Sequence, residues 1–191
     1  MKLLSPRIMP YWHQWNARLV ALLSTMLEDS WLFVFAYRDN DHPEVWHIAE
    51  LGDVYLNVEN TVHYALDTAF GRAEWNTTLP SHGIRLHFGA DASETFTVSL
   101  FHQLYCLNVI RIALSKFSDP EVRQLPQVET VQCMDYIRQM VLCRANLRLE
   151  SARNPTGPGI AVADVTHTCK DWTAVYSAAQ ENWEAYVGQE N

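Results

Sequence analysis

Nowhere in this chain do lysine and arginine cluster. With 14 Lys+Arg against 22 Asp+Glu the formal net charge is −8. Phosphate binding needs a basic stripe, so this balance argues against nucleic acid as a partner. Cys-x-x-Cys is also missing, which argues against a zinc ribbon or a thioredoxin-type motif. No clear membrane span is present either. The apolar runs 19–27 and 31–37 are split by Glu28-Asp29-Ser30, and each charge at mid-bilayer costs roughly 2.5 kcal/mol or more. A signal peptide fits poorly, because Pro10, Trp12 and Trp15 interrupt the stretch after Lys2 and Arg7. Repeats, low-complexity tracts and linkers are absent, so residues 1–191 are expected to form one domain with an N-terminal helical segment over 1–43.

What is present is an apolar, aromatic chain. Hydrophobic residues make up 48% and aromatics 12%, enough for a real core and for an aromatic-lined pocket that takes an organic ligand. Periodicity predicts one or two helices over 11–37, a turn over Arg38–Pro43, extended chain over 44–58 and a short helix over Val58–Leu66. Asp67–Trp75 reads as an irregular connection. Ile84–Phe88 alternates and is expected to pair with Thr95–Leu100 as a hairpin. Helices follow from Ser99 to about Lys116 and from Pro126 to about Arg144. Asn154–Gly159 is the strongest loop signal, and Thr168 or Asp171 caps a last helix through Tyr186. The fold class is therefore α+β, mainly α, with a small antiparallel hairpin.

The four cysteines, Cys106, Cys133, Cys143 and Cys169, all lie in the C-terminal half. Together with the glycosylation sequon at Asn76-Thr77-Thr78, they point to two disulfides and to a secretory lumen or the cell exterior, with the cytoplasm left open.

Chemistry concentrates in two similar segments, His102-Gln-Leu-Tyr105-Cys106 and Glu129-Thr-Val-Gln132-Cys133. On helices, positions i, i+3 and i+4 share a face. Packing the two helices together gathers His102, Tyr105, Glu129 and Gln132 in one pocket with a cysteine beside each pair. His102 exchanges a proton near neutral pH. Glu129 in an apolar pocket has a raised pKa and acts as acid or base. Tyr105 donates to a carbonyl or developing enolate, and Gln132 orients the substrate. Each residue also has a structural role open to it: His102 as a core histidine, Glu129 as a first-turn acid, Arg111 and Arg138 in ion pairs with Asp135 or Glu150, and His167 bracing the last helix.

Phe96–Leu107, Cys133–Cys143 and Val165–Trp172, with Trp75–Pro80 upstream, resemble the fungal UstYa-like family of mycotoxin biosynthesis over roughly residues 55–187. Members of that family are similar in carrying two His-x-x-His-Cys motifs, thought to bind copper for the oxidation, cyclisation or hydroxylation of secondary metabolites. An N-terminal membrane helix usually anchors them in the secretory pathway. This chain keeps His102 and both motif cysteines, but Tyr105, Glu129 and Gln132 replace the other three histidines. The resemblance thus implies a scaffold kept and a copper site dismantled.

The expected function is redox-neutral ring formation or isomerisation of a small secondary metabolite without a cofactor, with His102, Tyr105, Glu129 and Gln132 catalytic and His63, Tyr136 and Arg138 contacting substrate. A copper oxidase using His102, Glu129 and His63 as ligands is the first alternative. A non-catalytic partner, paired with a second copy or a UstYa-like paralogue, is the second.

Overall fold

The computed structural model describes residues 37, 41–59, 61–89, 92, 94–118, 127–150 and 165–189. All of them belong to one compact unit, Tyr37–Asn191. The helices expected within 11–37 and the Asn154–Gly159 loop lie outside the described residues. Among the described residues, four helices and two small antiparallel sheets form an α+β unit in which helix predominates. None of these helices is long and apolar enough to cross a membrane.

The first strand, β1 (Asp53–Val58), pairs antiparallel with β4 (Val165–Lys170), from Asp53↔Lys170 to Val58↔Val165. β4 alternates half-buried Val165, His167 and Cys169 with exposed Thr166, Thr168 and Lys170, the period of two that a sheet with one covered face requires. Lys170 closes one end with a 2.7 Å bond to Asp53. His167 and Thr168 are therefore strand residues opposite Leu56 and Tyr55, and neither braces nor caps the last helix as expected.

A short helix, α1 (Ala69–Asn76), follows where an irregular connection was expected. Thr68 starts it, its hydroxyl accepting from the Gly71 N–H at 2.9 Å. The segment before it, expected to be helical, is a series of bends instead. Tyr64 sits there at φ 57°, which breaks the helical repeat that Val58, Val62 and Leu66 suggest.

The hairpin forms as expected, in a shorter version: β2 (Leu86–Phe88) pairs with β3 (Glu94–Phe96). It leads directly into α2 (Ser99–Ser118), which is followed by α3 (Val128–Arg144) and α4 (Thr173–Gln189). Asp171 opens α4, its Oδ1 accepting from the Thr173 N–H at 3.0 Å and the Thr173 hydroxyl at 2.6 Å. Leu86, Phe101, Val175 and Ala179 form the buried core, with Trp46, Ile48 and Tyr176 packed against them. This core ties the hairpin and the start of α2 to α4. α2 and α3 pack against each other, and that pair carries the site.

Candidate functional site

α2 contributes His102, Tyr105 and Cys106, and α3 contributes Glu129, Gln132 and Cys133. The two cysteines are disulfide-bonded with their Cα atoms 4.8 Å apart, and both are buried. The bond fixes the register of the two helices, so the residues next to it in sequence face one another. The Tyr105 hydroxyl donates to Glu129 Oε1 at 2.6 Å. That hydrogen bond holds the phenol proton and raises the Tyr105 pKa above the ordinary tyrosine value; burial and the Glu129 charge act in the same direction.

The expected second disulfide is not formed. Cys143 is an exposed thiol in the last turn of α3, and Cys169 is a half-buried thiol in β4. Each belongs to an element whose position is already set by other contacts.

The other expected site residues divide. His102 is partly buried and stacks on Tyr136, ring centroids 4.0 Å apart and planes 21° apart. Gln132 is exposed and makes no hydrogen bond among the described residues. Arg138 does not reach toward a substrate; it holds Asp135 through Nε at 3.1 Å and Nη2 at 2.7 Å. The guanidinium keeps the Asp135 carboxyl below its usual range. Arg111 is buried and bonds the Leu66 carbonyl at 2.7 Å and Asn108 at 2.8 Å, so it ties the bend segment to α2 and does not pair with an acid. His63 lies on that segment, where its Nδ1 meets Glu74 Oε1 at 2.5 Å. Sequence reasoning missed Glu74. The only signal available was its place one turn into a helix that Thr68 caps.

Beside the Tyr105–Glu129 pair runs a groove of about 670 Å³ between α2 and α3. Val109, Ala113, Val131 and Met134 help line it, with Tyr105 and Glu129 supplying polar groups. His102 and Tyr136 are not among its walls. An apolar groove with a few convergent polar groups is the common form of an organic-ligand site.

Residues 36–182 match the family described as "Mycotoxin biosynthesis protein UstYa". This chain belongs to the UstYa family. It is 31% identical over 86 residues to the protein named oxidase ustYa of Aspergillus flavus, covering 44% of this chain and 40% of that protein. It is 30% identical over 86 residues to the UstYa family oxidase phomYb of Diaporthe leptostromiformis, covering 44% and 34%. A third relative, phomYd of the same fungus, is 29% identical over 77 residues, covering 39% and 26%. The chain thus spans well under two thirds of each relative's length. No solved structure matches.

Copper, implied by the UstYa resemblance, is a poor fit to the donors at this site. Copper prefers imidazole and thiolate. Here one imidazole stacks on Tyr136, both motif cysteines are joined as a disulfide, and the Tyr105 hydroxyl is engaged by Glu129. Among the described residues no three His, Cys, Asp or Glu side chains converge as metal ligands. His63 bonds Glu74, so the trio His102, Glu129 and His63 is not assembled.

Proposed function

We propose that this UstYa-family chain is a tailoring enzyme of fungal secondary metabolism that catalyses a redox-neutral ring closure or isomerisation in the α2–α3 groove. The observation that carries this reading is the 2.6 Å Tyr105–Glu129 hydrogen bond on the wall of an apolar groove. Its roles differ from those expected of the sequence. Tyr105 donates a hydrogen bond to Glu129, which makes it the residue that positions the base. Glu129 keeps lone pairs for a substrate proton.

In this mechanism a substrate C–H beside a carbonyl, or an O–H, gives its proton to Glu129. The electron pair stays on the substrate and either moves to a new position or closes a ring on an electrophilic carbon. The proton then returns from the protonated Glu129, so the product has the formula of the substrate. The groove contributes by holding a near-attack shape. His102, stacked on Tyr136 and not among the groove walls, takes no step in this mechanism.

The test uses the intermediate that accumulates when the gene is deleted in its host. Glu129→Gln is expected to lower its conversion by the ~10²–10⁴-fold typical of a lost general base, and Tyr105→Phe by less. Unchanged turnover in both variants contradicts the reading.

An oxidation is the second reading, favoured by the relatives, each of which is named an oxidase. It predicts a product lacking two hydrogens and a requirement for dioxygen.

The Cys106–Cys133 bond and the exposed Asn76 at the end of α1 support an oxidising lumen as the place of action. Expression in a secreting fungal host, followed by endoglycosidase, is expected to shift the chain's mobility. An Asn76→Gln variant is expected not to shift.

A further inference from the structure

Outside the groove, the His63–Glu74 pair is held by several polar contacts. Glu74 uses both oxygens, Oε1 toward His63 Nδ1 at 2.5 Å and Oε2 toward the Tyr64 N–H at 2.7 Å. The Tyr64 carbonyl in turn accepts from the Trp75 indole at 2.8 Å, and the two rings meet edge to face at 5.6 Å. Tyr64 is thus gripped on both sides while in the left-handed region at φ 57°. Non-glycine residues take up such a conformation at a cost, and they cluster at functional sites. Gly71 completes the arrangement: a Cβ there would overlap the Ala65 carbonyl oxygen, so only glycine lets α1 approach the bend so closely.

This geometry selects one tautomer. A carboxylate against Nδ1 accepts that nitrogen's hydrogen, which leaves Nε2 with its lone pair. Nε2 has no partner among the described residues, and the His63 side chain is 56% exposed. Phe70, 66% exposed, lies with its ring centroid 6.2 Å from the imidazole. A base with a fixed tautomer, set against a carboxylate and beside an exposed aromatic ring, is an arrangement that general-base catalysis uses.

We propose that His63 and Glu74 form a second proton-transfer centre, separate from the α2–α3 groove, that acts on an aromatic carbonyl compound lying against Phe70. The substrate's acidic C–H or O–H bond breaks and its proton goes to His63 Nε2. The electron pair remains on the substrate as an enolate or phenolate, and Glu74 neutralises the imidazolium. The proton returns when the anion is quenched, so no oxidant or reductant takes part. This centre stands whether or not the groove reading holds.

The test uses a nitrobenzisoxazole, a flat aromatic probe with one acidic ring C–H. Loss of that proton breaks the N–O bond and releases a coloured cyanophenolate. The full chain is expected to open the probe at least about tenfold faster than the His63→Gln variant, and Glu74→Gln is expected to lose most of the gain, with circular dichroism confirming that both are folded. Independently of any variant, nitrogen NMR of the unaltered protein is expected to place the neutral His63 proton on Nδ1. A proton on Nε2 overturns the proposal, as does equal probe turnover in the folded His63→Gln variant. A rate that falls in Glu129→Gln while His63→Gln keeps it also overturns the proposal, and assigns the base to the groove, leaving that reading intact.

Discussion

The α2–α3 pair and the 61–76 segment each set a carboxylate against a partner that holds a proton, and they are held by different means. In the first, the Cys106–Cys133 bond fixes two helices, and Glu129 meets Tyr105 as a consequence of that register. In the second, no covalent bond acts. A Thr68 cap, a glycine contact and three hydrogen bonds hold Glu74, Tyr64 and His63 in place. The first site is built from a pattern that recurs in the sequence. The second is built from residues whose importance emerges only once the backbone turns back on itself.

Breaking the two supports separately sharpens the contrast. The largest effect is expected from Cys106→Ser. A loop closed across a sequence separation of 27 loses a constraint worth about 3 kcal/mol. Urea denaturation is expected to show that loss, while the His63 proton stays on Nδ1. Gly71→Ala is expected to disturb the other site. Forcing a methyl against the Ala65 carbonyl costs about 1–3 kcal/mol and disturbs the His63 ring signals, with the Cys106–Cys133 bond intact by mass spectrometry.

Smaller effects come from titration. The Tyr105 phenol is raised by its bond to Glu129. Its contribution to stability is therefore complete below the ordinary tyrosine pKa of about 10 and is lost as pH rises through the raised value. Glu129→Gln is expected to bring the Tyr105 titration, followed by ultraviolet absorbance, back toward the ordinary value.

Asp171 is lowered by the Thr173 hydroxyl and backbone bonds, and burial is too slight to reverse this. Its contribution is present above the ordinary aspartate pKa of about 4 and is lost as pH falls through the lowered value. Asp171→Asn is expected to lower the melting temperature slightly at neutral pH and to have no effect in strong acid. The smallest effect is expected from Arg138→Ala, which removes only an exposed ion pair with Asp135. It is expected to leave turnover of the accumulated intermediate unchanged, since Arg138 does not line the groove.

Local signals made much of this fold legible. The α2, α3 and α4 helices lie where capping and periodicity put them, and the hairpin register follows from alternation around the Gly89 turn. The β1–β4 ladder was not legible, because its partners stand more than a hundred positions apart, as the Lys170–Asp53 bond does. Val58–Leu66 carries helical spacing, yet Tyr64 at positive φ overrides it. In the site, the repeated polar-x-x-polar-Cys pattern was enough to bring Tyr105 and Glu129 together. It gave no sign that Tyr105 would donate to Glu129 or that His63 would find Glu74, whereas the Arg138–Asp135 pair was already open in the sequence as a structural role. Those outcomes depend on side-chain reach in three dimensions.

The most direct test of the account is conversion of the accumulated pathway intermediate by the purified full chain, with and without dioxygen and with a strong metal chelator present, the product being weighed by mass spectrometry. Acid–base chemistry at Glu129 and Tyr105 predicts a product of unchanged mass, formed at the same rate with or without dioxygen. A product lighter by two hydrogens, formed only with dioxygen and lost with chelator, would contradict it.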